Sequence, residues 1–198
     1  MRPPICSVLI PSRARPERLR KTIRSIRETS TMDAEILVRF DDDDAQSLAI
    51  RDDLISDGIR VFVGSRLQGY VSLASFYEEL AHEASAPWIS VMNDDAYVIG
   101  EGWDAQLAEI PTDGVIVQPE LYKLGGSGYR NCEGGAFPLV PTDALKKVGC
   151  DRWYGPGIDT FLDQLLRVQH GWRTQFIKGM TVVHERDNHD AIERHRKL

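Results

Sequence analysis

The sequence predicts a single α/β domain built on a mainly parallel central sheet flanked by helices. Three observations carry that expectation. Strand-like and helix-like segments alternate from Cys6 to Met92, the pattern of crossover-connected parallel strands. The strand-like runs are almost continuously apolar, as strands covered on both faces are. Two acidic clusters, Asp41-Asp42-Asp43-Asp44 and Asn93-Asp94-Asp95, each follow directly on such a run. Clusters there stand at carboxyl ends of strands, where ligands of parallel sheets gather. The 198 residues, 42% hydrophobic, suffice for one core of this kind rather than two.

Each element has its own signals. Cys6–Ile10 reads as a buried strand ending at Pro11. Pro16 suits the first turn of a helix, and Leu19, Ile23 and Ile26 follow at helical spacing. Glu35–Phe40 is the second strand and stops at the four aspartates. Ala45–Ile55 is expected as one helix, ended by Asp57-Gly58, and Arg60–Val63 as the third strand. A helix follows Gly69, with Leu73, Phe76, Tyr77, Leu80, Ala81 and Ala84 on one face. Ser75 and Glu78 have the spacing of a capping box at its start. Pro87 stops that helix, and Trp88–Met92 is a fourth, wholly apolar strand.

The second half is less regular. Gly102–Ile110 is expected as a short helix and Val115–Gln118 as a strand. Lys123–Gly135 holds five glycines in thirteen residues and reads as a loop able to close over a ligand. Phe137–Val140 is expected as a strand and Pro141–Val148 as a helix closed by Gly149. Asp159–His170 is amphipathic, with Gly171 a natural residue just past its end. Phe176–His184 holds a last strand. Residues 1–185 form the expected domain and 186–198 a charged tail.

Composition narrows the function. The net charge of −6 gives no general excess of the basic residues that nucleic-acid binders use against phosphates. Arg13, Arg15, Arg18, Arg20, Lys21, Arg24 and Arg27 do crowd one segment, so nucleic acid is disfavoured without being ruled out. No apolar run approaches the ~20 residues that span a bilayer, and the start lacks the pattern of a signal peptide. Three widely spaced cysteines form no C-x-x-C pair, which fits a reducing cytoplasm rather than a disulfide framework or a zinc site.

The chemistry-bearing candidates stand at strand and helix ends. Asn93-Asp94-Asp95 admits two readings. It is a turn that caps the next element, or a place where a carboxylate holds Mg²⁺ or Mn²⁺ while a diphosphate completes the oxygen set. In Asp41 to Asp44 most carboxylates must be solvated or paired, and one can N-cap the following helix. One could also accept hydrogen bonds from a base or ribose. His184 ends the last strand, as a structural residue or a metal ligand. Asp159 opens a helix, where it can cap and still present a free oxygen as a general base. Arg13, just after the first strand, stands where a phosphate or base can reach it.

Together these segments resemble the glycosyltransferase family 2 domain of the GT-A fold. The resemblance runs over about residues 5 to 185 and rests on order and spacing. Ser7 to Arg13 resembles the opening strand and its Pro-containing turn, and Ile36 to Asp43 the second strand and nucleobase-binding aspartate. Ile89 to Asp95 resembles the strand and D-x-D site, with Asn93 at its first acidic position. Gly134-Gly135-Ala136-Phe137 and then Ala144 to Gly149 resemble the acceptor-side strand and helix. Gly157-Ile158-Asp159 stands where relatives carry a Glu-Asp pair.

The resemblance implies a UDP- or GDP-sugar donor, a divalent cation (Mn²⁺ or Mg²⁺) and a hydroxyl acceptor. Pro11, Arg13, Asp41, Asp42 and Asp43 would bind the nucleoside, with Asn93 and Asp94 nearer the ribose. Asp95 and His184 would be metal ligands, and Asp159 the base of an inverting transfer. A nucleotidyltransferase of related sheet is one alternative, although Pro11 to Pro16 contains no glycine. A non-catalytic sugar-nucleotide or glycan-binding module is another, and transfer to a modified DNA base a third.

Overall fold

In the computed structural model, residues 3–67, 72–124, 137–149 and 158–185 are described, residues 122–124, 158–160 and 185 by backbone alone. The parts of the Gly-rich stretch from 125 to 136, Gly69, Gly157, Cys132, Cys150 and the tail from 186 lie outside them.

Strand β1 (Cys6–Pro11) shows how the core is organised. Val8 and Ile10 point to one face of the sheet, against Leu19, Ile23 and Ile26 of helix α1 (Pro16–Thr29). Leu9 points to the other, against Tyr77, Leu80 and Ala81 of helix α4 (Leu73–Glu83). Strand side chains alternate between faces, so a strand buried on both sides must be apolar at every position. Each such Leu, Ile or Val contributes about 1.5–3 kcal/mol through burial.

Strands β2 (Glu35–Asp41), β3 (Arg60–Gly64) and β4 (Trp88–Val91) complete a parallel block with β1. The described chain adds β5 (Ala96–Gly100), β6 (Val115–Leu124), β7 (Leu139–Pro141) and β8 (Arg173–Glu185). The sheet order is β3-β2-β1-β4-β7-β6-β8-β5. Pairings are antiparallel at β4–β7, β7–β6 and β8–β5, and parallel at β6–β8. The sheet is therefore largely parallel but mixed, with the antiparallel joints confined to its second half.

Helices α1 and α5 (Trp103–Ala108) cover one face. Helices α4, α6 (Thr142–Val148) and α7 (Ile158–Gln164) cover the other, the last two through Leu145 and Leu162, with Leu166 just past the end of α7. No helix among the described residues is long and apolar enough to cross a membrane.

Several expectations change in detail. The helix expected over 45–55 is two, α2 (Ala45–Leu48) and α3 (Arg51–Ser56). The break comes where the Ile50 N–H turns to the Ser47 carbonyl, at 3.2 Å, in a tighter three-residue turn. Ser75 and Glu78 form no capping box, because α4 starts earlier, with Ser72 at its N-cap position. The strand expected from Phe137 begins at Leu139, since Phe137 has φ +57° and leaves the extended region. Helix α7 continues as a π-helical turn (Leu165–Gln169) before Gly171, whose φ of +67° makes it the chain-reversing residue foreseen there. Strand β5 has no counterpart in the sequence-based expectation.

Candidate active site

The turn from β1 into α1 is the hub of the site. The Ser12 N–H donates to the Arg39 carbonyl at 3.0 Å, tying the turn to β2. Ala14 has φ +56°, a left-handed conformation unusual for a residue with a Cβ. It separates two arginines that go to different acidic clusters. Arg13 Nη1 reaches Asp41 Oδ2 at 2.8 Å and also Asp43, whose other oxygen lies 3.2 Å from Nη2. Arg15 Nη1 lies 3.2 Å from both Asp94 Oδ1 and Asp95 Oδ2.

The four consecutive aspartates have four different environments. Asp41, at the end of β2, is buried between Arg13 and Arg39. Arg39 is itself only 3% exposed. Its guanidinium stacks on the Phe76 ring at 3.6 Å and donates to the Ser65 carbonyl at 2.6 Å. Asp42 is exposed and accepts from Ser65 Oγ at 3.2 Å. Asp43 is exposed, and its hydrogen bond from Arg13 holds it below the usual carboxylate range. The same bond raises the Arg13 pKa further. Asp44 caps α2 through the Ser47 N–H and accepts from the Ala14 N–H at 2.8 Å. The run escapes mutual repulsion because each carboxylate accepts from a donor, with Arg13 shared by Asp41 and Asp43.

Asn93-Asp94-Asp95 fills the turn between β4 and β5, and its backbone is pinned from two sides. Tyr77 Oη lies 2.9 Å from the Met92 carbonyl and 3.2 Å from Asn93 Oδ1. Thr22 Oγ1 lies 3.1 Å from the Asp94 carbonyl and 2.6 Å from that of Ala96. Asp94 is buried and accepts from Ser12 Oγ at 2.8 Å. Burial pushes its pKa up to about 6, against the Arg15 charge, with the Asp95 charge adding to the rise.

Burial also works against ionisation of Asp95. There the His184 hydrogen bond and the charges of His184, Arg15 and Arg18 win, and its pKa falls below the ordinary value. The β5–β8 register sets Ala96 beside His184, which brings His184 Nε2 to 3.1 Å from Asp95 Oδ1. Phe137 packs edge-on against that imidazole at 5.3 Å. A bulky residue in a left-handed conformation is strained and persists only where its surroundings over-determine it.

Of the residues singled out in the sequence, Pro11, Arg13, Asp41 and Asp43 gather on one side of this hub, and Asn93, Asp94, Asp95 and His184 on the other. Asp159 lies in the first turn of α7, and its side chain is outside the described residues. Sequence reasoning missed Ser12, Arg15, Arg39, Tyr77 and Phe137. Tyr77 and Phe76 show in the sequence only as members of an apolar helix face. Arg15 was legible only as one of many basic residues.

Asp95 and His184 supply one carboxylate oxygen and one imidazole nitrogen within hydrogen-bonding distance. No group of three or more His, Cys, Asp or Glu gathers among the described residues. That donor set suits an ion carried by a substrate, because Mg²⁺-like ions commonly take one or two protein groups and complete their shell with phosphate oxygens and water. It does not suit a closed structural site.

A family model described as glycosyl transferase family 2 matches residues 7–156. A search of curated proteins finds no match to the sequence. Among solved structures, GalNAc-T7 with UDP, GalNAc and Mn²⁺ superposes with a TM-score of 0.73 at 14% identity, covering 94% of this chain and 44% of that one. TarS 1–349 of S. aureus, in complex with UDP-GlcNAc, gives a TM-score of 0.66 at 13% identity, covering 95% and 60%. The same protein with UDP gives 0.66 at 15%, covering 95% and 62%. At these identities the likeness is one of fold, the GT-A fold, and the chain spans less than two thirds of each of these structures.

Proposed function

The chain belongs to glycosyl transferase family 2, and on that premise we propose that it transfers a sugar from a nucleoside diphosphate sugar to an acceptor hydroxyl. The observation that carries this reading is the convergence of Arg13 and Arg15, from one strand-end turn, on both acidic clusters, with His184 meeting Asp95 from the far strand. The GT-A structures solved with UDP or UDP-GlcNAc favour a uridine donor.

Pro11, Arg13 and the Asp41–Asp43 edge line the nucleoside end of the crevice, where exposed Asp42 and Asp43 offer acceptor oxygens. Asn93 and Asp94 face the ribose side. Asp95 and His184 would hold a divalent cation, Mn²⁺ or Mg²⁺. When bound, such an ion supplies Lewis-acid stabilisation of charge on the diphosphate leaving group, worth several kcal/mol.

Asp159 is the general base. It takes the proton of the acceptor hydroxyl as that oxygen forms its bond to the anomeric carbon. The bond from that carbon to the diphosphate oxygen breaks with its electron pair on the oxygen. One in-line displacement inverts the anomeric centre. In support, Asp159 lies in the first turn of α7, which packs on the sheet through Leu162.

The test is a transfer assay with UDP-sugars and a broad acceptor panel, alongside calorimetry of UDP binding. The wild-type protein should turn over, and Asp159→Asn should lose about 10²–10⁴-fold in rate with UDP affinity kept. Donor binding with no transfer to any acceptor would point to a binding module instead. Wild-type rates in Asp159→Asn would remove that residue from the base role.

A further inference from the structure

The scheme above assigns Arg15 no chemical role, yet Arg15 occupies its electrostatic centre. Asp94 and Asp95 are adjacent carboxylates with side chains only 9% and 12% exposed. Each divides its two oxygens in the same way. One oxygen goes inward to a fixed partner, Ser12 Oγ at 2.8 Å for Asp94 and His184 Nε2 at 3.1 Å for Asp95. The other goes to the same nitrogen, Arg15 Nη1, at 3.2 Å in both cases. The guanidinium thus offsets the repulsion of two crowded charges. Leaving such a pair with no counter-charge is costly at this degree of burial.

Arg15 is also the most exposed member of the set. Its side chain is 28% exposed, against 17% for His184, and it hangs from a turn rather than a strand. A guanidinium fork binds phosphate and carboxylate oxygens alike. Any divalent ion that takes Asp95 must compete with Arg15 for it, and the two cations repel at short range. A diphosphate brings negative oxygens that satisfy both.

We propose that Arg15 is a built-in counter-cation that a divalent ion must displace from Asp95, and that the displaced guanidinium then binds the donor's diphosphate. The ion alone therefore binds weakly, and ion and nucleotide strengthen each other. Linkage requires that the strengthening be the same factor in both directions. This inference rests on the nucleotide-sugar reading above.

The experiment is calorimetry of MnCl₂ alone, UDP alone, and UDP in saturating Mn²⁺, on the wild type, Arg15→Gln and Arg18→Gln, with thermal unfolding confirming that each is folded. Arg18 is the control because its charge also acts on Asp95. In the wild type, Mn²⁺ should strengthen UDP binding by about 5–150-fold, the usual range of coupling between sites. In Arg15→Gln, Mn²⁺ alone should bind at least about tenfold more tightly, and most of the coupling should vanish. Arg18→Gln should keep the coupling.

Unchanged or weaker Mn²⁺ binding in Arg15→Gln would overturn the proposal while leaving the donor reading intact. So would an equal response in Arg18→Gln, which would reduce the effect to a general field. A wild type that binds neither UDP nor Mn²⁺ would overturn the donor reading and this inference with it.

Discussion

At the scale of single residues, Asp94 carries the least comfortable charge in the site. Its folded-state pKa lies near 6, above the ordinary 3.8, chiefly because it is buried. The folded protein therefore binds this proton more tightly than the unfolded chain. The stability that Asp94 contributes is greatest at low pH and is lost as pH rises through about 4 to 6. Above that window the protein keeps a buried carboxylate ionised, with Ser12 and Arg15 to offset the cost. Asp94→Asn retains an acceptor for Ser12 without the charge. Its unfolding midpoint should exceed the wild type's by a few degrees at pH 8, and the advantage should shrink to nothing near pH 4. A difference constant with pH would show that burial is not what sets this group. The sequence singled out the triplet and placed its metal reading on Asp95, and the structure brings Asp94 and Asp95 to one arginine. Which carboxylate would be buried was not legible, because that depends on Ser12 and on a β5 strand that gave no sequence signal. Arg15 was hidden for a similar reason. Alanine does not announce a left-handed conformation, and without it nothing tells that Arg13 and Arg15 part company.

At the scale of elements, the parallel block was readable nearly to its ends; in the second half three of the four strands were expected, and β5 and the antiparallel pairings were not. Strands β1, β2 and β3 end at Pro11, Asp41 and Gly64, the apolar run of β4 stops at Asn93, and all but the edge strand β3 are buried on both faces, so composition alone marks their ends. Strand β8 is thirteen residues long, and exposed positions such as Phe176 interrupt its pattern. Strand β6 shifts register between Gln118 and Glu120, so only its first part was visible as a strand. Strand β5 depends on a feature no periodicity shows. Gly100, at φ +117°, lets its backbone pass so close to β8 that an added Cβ would stand 1.9 Å from the Gly179 carbonyl oxygen. The same pairing runs from Gly100 beside Met180 to Ala96 beside His184. Gly100→Ala meets both a backbone clash and an unfavourable φ, a mechanism among those that give large effects. It should lower the unfolding midpoint by about 5 °C or more, at about 2–4 °C per kcal/mol for a chain of this size. A shift within a degree of the wild type would mean that the two strands separate without cost.

At the scale of the whole molecule, the site lies on the seam between the two blocks. Asp95 follows the last parallel strand, and His184 comes from the far edge pair, 89 residues later in the chain. A ligand that spans the seam binds the native arrangement alone, since the unfolded chain cannot hold the two groups together. It should therefore stabilise the protein by RT ln(1 + [L]/Kd), or about 2.7 kcal/mol at a hundredfold excess over Kd. For a chain of this size that is an upward shift of about 5–10 °C. The shift should have two separable parts. On the proposed reading, UDP alone draws on Arg13 and the Asp41–Asp43 edge, all within the parallel block. The increment added by Mn²⁺ would, on the same reading, require Asp95 and His184 together, one from each block. His184→Ala should therefore keep the UDP shift and lose the Mn²⁺ increment in a thermal-unfolding series. Retention of the full increment would place the ion within the parallel block alone and remove β8 from metal binding. Loss of both parts together would show that the imidazole holds the crevice in shape rather than holding the ion.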